Sequence, residues 1–175
     1  MSSALQERRS FFLEENLSRL FLRGQPLEAE AEGLLDINRE TETYGLSLSR
    51  EEALGLANVH RKALNECGRV EIGSDTVEKI ALAFSSSRFL DRDNYAAVLA
   101  EATQAFYALK NESEDTISDD ELVSMLVDGF ERFGGDLAAY LDSAELDRLL
   151  RARRTGKAEE EEPEDKDEEE DDPDE

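Results

Sequence analysis

Apolar residues recur at steps of three and four along almost all of residues 1–154, and sustained alternation at a step of two is nearly absent. A helix brings every third and fourth side chain onto one face, whereas a half-buried strand needs a period of two. The chain is therefore expected to be all-α, a compact multi-helix bundle built from helix-loop-helix units. Residues 3–22 supply a first stripe in Phe12, Leu13, Leu17, Leu20 and Phe21, with Gly24 as its stop. Pro26 suits the first turn of a second helix over residues 26–40, burying Leu27, Leu34 and Ile37.

Helix starts and stops are written plainly further along. Ser49 and Glu52 have the S-x-x-E spacing of a capping box, and Ala53, Leu56, Ala57, His60, Leu64 and Cys67 then share a face until Gly68. "GRVEIG" (68–73) is the one place where a short extended segment is expected. Asp75 opens a helix with Val77, Ile80, Ala81 and Phe84 inward, and residues 91–110 form a longer one around Tyr95, Val98, Leu99, Ala102, Phe106 and Leu109. Leu122, Met125, Leu126, Phe130 and Phe133 mark the next, ended by Gly134 and Gly135. "DLAAYLDSAELDRLLRARR" adds a short helical turn and a final helix.

The chain has 175 residues, enough for one domain of ordinary size. Its formal charge is -24, of which -12 falls in residues 155–175. That stretch has no large apolar side chain to offset the entropy of ordering its backbone, so an all-helical domain over 3–154 and a disordered acidic tail over 155–175 are expected. Such a charge argues against direct binding to nucleic acid or an anionic membrane, since a phosphate-binding face needs clustered Lys and Arg. "RLLRARR" (148–154) is the one basic cluster, and it suits the negative end of a helix dipole. A single cysteine excludes an internal disulfide, and neither an apolar signal-peptide core nor a membrane span is present, so a cytoplasmic location is expected.

"KNESEDTISDDEL" (110–122) is the segment closest to a chemical motif. Aligned to an EF-hand loop, Glu112, Glu114, Asp115, Ser118 and Glu121 take the third, fifth, sixth, ninth and twelfth places, and it resembles that family. These five residues are the calcium candidates. Two departures weigh against a metal. Lys110 stands where the first Asp ligand belongs, and Asp115 where a Gly turns the loop. A Ser118–Glu121 capping box, a first turn of acids and an Ile117–Leu122 hydrophobic staple explain the same letters without an ion. The segment is read as a capped helix start, with no metal assigned. "TYGLSLSREEAL" (43–54) repeats the arrangement; capping boxes are common, so the repeat is read as coincidence, with a second, related unit as the alternative.

His60 and Cys67 are the only histidine and cysteine. Seven residues along a helix separate them by about 10 Å, too far for a nucleophile and its base. His60 is read as a structural histidine at the edge of the core. No nucleophile elbow, phosphate loop, zinc-protease helix or dinucleotide fingerprint occurs, so no catalytic residue and no cofactor are assigned.

"YGLSLSREEA", "GRVEIG", "FYALKNE...ISDDEL" and "GGDLAAYL" together resemble an uncharacterised bacterial family of clostridial type, over most of residues 20–150. The resemblance implies a soluble bacterial protein and supplies no activity. The expected role is a non-enzymatic cytoplasmic adaptor or regulatory protein acting through contacts with an unidentified protein partner. The alternatives are a degenerate EF-hand-like cation sensor, an acidic decoy for a nucleic-acid-binding protein, and an enzyme with a pocket near His60.

Overall fold

The computed structural model describes residues 27–71 and 73–160, and among these there are helices and no strand. The elements are α1 (Leu27–Asp36), α2 (Asn38–Thr41), a 3-10 turn (Glu42–Tyr44), α3 (Arg50–Glu66), α4 (Asp75–Phe84), α5 (Tyr95–Glu112), α6 (Asp119–Arg132), α7 (Leu137–Leu141) and α8 (Ala144–Glu160). The expected helix over residues 3–22 and the acidic stretch after residue 160 lie outside the described residues.

Helix α3 packs between α1 and α5, while α5 also meets α4, α6 and α7; α4 packs on α6, and α8 on α7. The faces read from the sequence are the ones turned inward. Leu34, Ala53, Leu56, Leu64, Val77, Ile80, Phe84, Leu99, Phe106, Leu122, Leu126 and Phe130 are all buried, and Phe84 and Phe130 pack with ring centroids 5.4 Å apart. The expected helix over 26–40 comes as α1 and α2, with Ile37 between them keeping helical dihedrals (φ -60, ψ -29). The bend is anchored by Asn38, whose side chain donates to the Leu48 carbonyl at 2.8 Å and accepts from the Leu48 N–H at 2.7 Å.

The capping box at Ser49 forms in full: Ser49 Oγ accepts from the Glu52 N–H and Glu52 accepts from the Ser49 N–H. At Ser118 the side chain caps the Glu121 N–H, while Glu121 points elsewhere. Leu48 and Ile117, the apolar residues just before the two caps, are both buried. Residues 69–71, where a short extended segment was expected, lie in an irregular connection from α3 to α4. Helix α8 continues to Glu160, past the expected domain boundary at residue 154, because nothing in "RTGKAEE" forces a stop as Pro would.

Helix α7 sits unusually close to α6. A β-carbon on Gly129 would fall 2.2–2.4 Å from ring atoms of Tyr140, so the buried tyrosine rests directly on the α6 backbone. The glycine there serves close approach rather than backbone freedom.

Candidate functional site

The α1–α3–α5 stack brings together a set of polar side chains that the sequence scatters over 78 positions, from Glu30 to Tyr107. His60 faces inward from the middle of α3 and is 1 % exposed. Its Nδ1 lies 2.6 Å from Glu30 Oε1 on α1, and its Nε2 lies 2.9 Å from the Tyr107 hydroxyl on α5. The Tyr107 hydroxyl in turn donates a short hydrogen bond to Glu71 Oε2, from the connection between α3 and α4. Arg61 Nε donates to the second oxygen of Glu30 at 2.7 Å, and the Thr76 backbone N–H donates to Glu71 Oε1 at 3.3 Å.

The donor directions fix the protonation. Tyr107 gives its single hydrogen to Glu71, so it accepts from His60 Nε2, and Glu30 accepts from Nδ1; both ring nitrogens therefore carry hydrogen. Burial alone would pull the His60 pKa down. The hydrogen bond to Glu30 and the negative charges of Glu30 and Glu71 outweigh it and push the value up to about 9. Burial raises Glu71, but the neighbouring His60 charge and the hydrogen bonds from Tyr107 and Thr76 hold it down at about 2. Burial together with the Glu71 charge drives the Tyr107 phenol far above its ordinary value. The result is a chain, Arg61 to Glu30 to His60 to Tyr107 to Glu71, with two cations and two carboxylates in balance.

The calcium candidates are placed quite differently. Glu112 ends α5; Glu114 and Asp115 follow in the left-handed region, with φ of 51 and 60. The Asp115 carboxylate accepts from Arg69 at 2.8 Å, which holds its pKa below the usual range. Ser118 caps α6, and Glu121 pairs with Arg153 of α8. The neighbouring acids are engaged as well: Asp119 with Lys110 of α5 at 2.5 Å and Asp120 with Lys79 of α4 at 2.7 Å. Lys110, which replaces the first EF-hand ligand, thus supplies one of four cations that reach this loop from four parts of the fold. Among the described residues no group of three or more His, Cys, Asp or Glu side chains is arranged to hold a metal ion.

His60 and Cys67 do meet the same residue at different atoms. Cys67 Sγ donates to the Tyr107 carbonyl at 3.4 Å, whereas His60 Nε2 meets the Tyr107 hydroxyl. Sequence reasoning found His60 and missed Glu30, Glu71 and Tyr107. Glu30 carried a usable signal, since it lies four residues before Leu34 and three after Leu27, on the apolar face of α1. Tyr107 stood beside Phe106 just off the expected stripe, and a buried tyrosine needs a partner for its hydroxyl. Glu71, in an irregular connection, carried no signal of its own.

A family model, described as a family of unknown function (DUF6323), matches residues 33–159. No curated protein and no solved structure matches the chain.

Proposed function

The chain belongs to the DUF6323 family, and we propose that it is a non-enzymatic cytoplasmic adaptor or regulatory protein that works through contacts with another protein. The observation that supports this reading is the closure of the His60 cluster. Both imidazole nitrogens, the Tyr107 hydroxyl and all four oxygens of Glu30 and Glu71 have partners within the chain. A general base needs an accepting nitrogen or oxygen within reach of substrate, and the one imidazole of the chain, its pKa raised to about 9, already carries both hydrogens. The cluster fastens α1, α3, α5 and the start of α4 to one another.

Contacts can be made from the outer faces of that frame. Tyr44 and Val70 are more than half exposed, and Leu82 and Leu149 stand out from α4 and α8. Single aspartates at these four positions leave the core untouched and should leave the melting temperature within about 2 °C. In extracts of cells that make it, the full-length protein should elute in a complex of defined stoichiometry, and at least one of the four variants should elute alone. Elution of the wild type as a free monomer under all growth conditions would sink the reading. The sensor alternative requires Asp115 and Glu121 to leave Arg69 and Arg153, and no observation favours that exchange.

A further inference from the structure

Glu71 stands apart from the rest of the buried cluster. Glu30, His60 and Tyr107 are fixed on three packed helices and are nearly or fully buried, whereas Glu71 comes from an irregular connection and its side chain is 25 % exposed. What it meets is two donors and a buried charge: the Tyr107 hydroxyl, the Thr76 N–H in the first turn of α4, and the His60 ring 3.8 Å away, whose own hydrogens go to Glu30 and Tyr107. The His60 and Tyr107 side chains are 1–2 % exposed and are oriented from behind, His60 by Glu30 and Tyr107 by His60. Without Glu71 the His60 imidazolium and the Tyr107 hydroxyl would face a gap that a carboxylate fills.

We propose that Tyr107, His60 and the first turn of α4 form a carboxylate-binding site, which the chain fills with its own Glu71 and for which an acidic side chain of a partner protein competes. The body's negative charge does not forbid this. Beyond about 8 Å exposed acids are screened at physiological salt, while a buried imidazolium is screened far less. The proposal deepens the contact reading by naming what a partner presents, but its test needs no partner, so the two fail separately.

The probe is acetate, offered to full-length Glu71→Ala, in which the inserted carboxylate is gone and the donors remain. The variant should melt several degrees below wild type. Acetate at 100 mM should raise its melting temperature by roughly 3–5 °C more than chloride at equal ionic strength, saturably, and should not do so for wild type. Glu71→Ala combined with Tyr107→Phe should lose the acetate response. If Glu71→Ala is unfolded in chloride, recovery of its helical circular dichroism in acetate is the same result. Equal responses to acetate and chloride, or no recovery, overturn the site. Acetyl-glutamate amide, with only a side-chain carboxylate, should act at lower concentration than acetate. If acetyl-alanine, with only a terminal carboxylate, acts better than it does, the assignment to an acidic side chain falls.

Discussion

Two tyrosines of nearly equal burial show how much depends on a single oxygen. Tyr107 spends its hydroxyl between His60 and Glu71, whereas the buried Tyr140 hydroxyl has no hydrogen-bond partner among the described residues. Tyr140→Phe removes an unsatisfied group and keeps the ring, so it should be neutral or stabilising by up to about 1 kcal/mol. Tyr107→Phe leaves an imidazolium N–H and a carboxylate oxygen facing a bare ring edge, and should destabilise by roughly 2–3 kcal/mol. Urea denaturation of both variants checks this; equal effects would mean that the cluster contributes no more than packing. The same cluster sets a pH dependence. A histidine raised from 6.5 to about 9 contributes fully below pH 6.5 and loses that contribution as pH rises through 9. Stability should therefore fall between pH 7 and 9.5, and His60→Gln, less stable at pH 7, should show a flatter profile. Parallel profiles for the two proteins would mean that His60 is neutral in the fold. None of this could be read from the sequence, because a lone histidine on an apolar face announces burial and does not name its partners.

At the scale of elements, the helix ends explain why the segment 110–122 looks like more than a loop. Helix α3 closes with Arg69 N–H on the Leu64 carbonyl and Gly68 N–H on Asn65, and α6 with Gly135 on Phe130 and Gly134 on Glu131. Helix α5 closes with the same pair of bonds, Asp115 on Lys110 and Glu114 on Asn111. These are Schellman closures, which place one residue in the left-handed region. Gly68 and Gly134 occupy that place in the first two, and Glu114, at φ 51, occupies it in the third. A side chain there costs about 1–2 kcal/mol, less the greater freedom that glycine loses on folding. Glu114→Gly should accordingly stabilise the protein by roughly 0.5–1 kcal/mol, a rise of a few degrees in melting temperature; a fall would show that the Glu114 side chain has a role beyond the turn. The turn gives the segment its EF-hand outline, while the carboxylates of Asp115 and Glu121 are engaged by Arg69 and Arg153. Calcium titrations of wild type and Glu121→Gln are expected to superimpose, and a binding step present only in the wild type would restore the sensor. The stripes and caps of these helices were legible because both depend on neighbours within a turn. The ion pairs were not, since Arg69 to Asp115 and Lys79 to Asp120 join residues more than forty positions apart.

For the molecule as a whole, charge opposes what packing builds. The described ion pairs on the surface, such as Lys79–Asp120 and Arg92–Glu52, are exposed, contribute little individually and weaken with salt. Against them stands a formal charge of -24, with 12 acids and one lysine in residues 161–175 alone. Repulsion grows with the square of net charge and acts between all the acids, and drawing the chain into a bundle brings them closer. It should outweigh the few exposed pairs at low ionic strength. Raising sodium chloride from 10 to 150 mM shortens the Debye length from about 30 to 8 Å, so the melting temperature should rise over that interval. Removing residues 161–175 should raise the low-salt value and reduce the salt dependence, because the most concentrated source of repulsion is gone. The His60–Glu30 pair at the centre of the cluster is buried, is screened far less by added ions and should contribute little to the slope. A melting temperature that falls with salt in the full-length protein would reverse the ranking. The surface pairs, and not the net charge, would then govern its electrostatics, and the four cations converging on residues 115–121 would be the first to substitute.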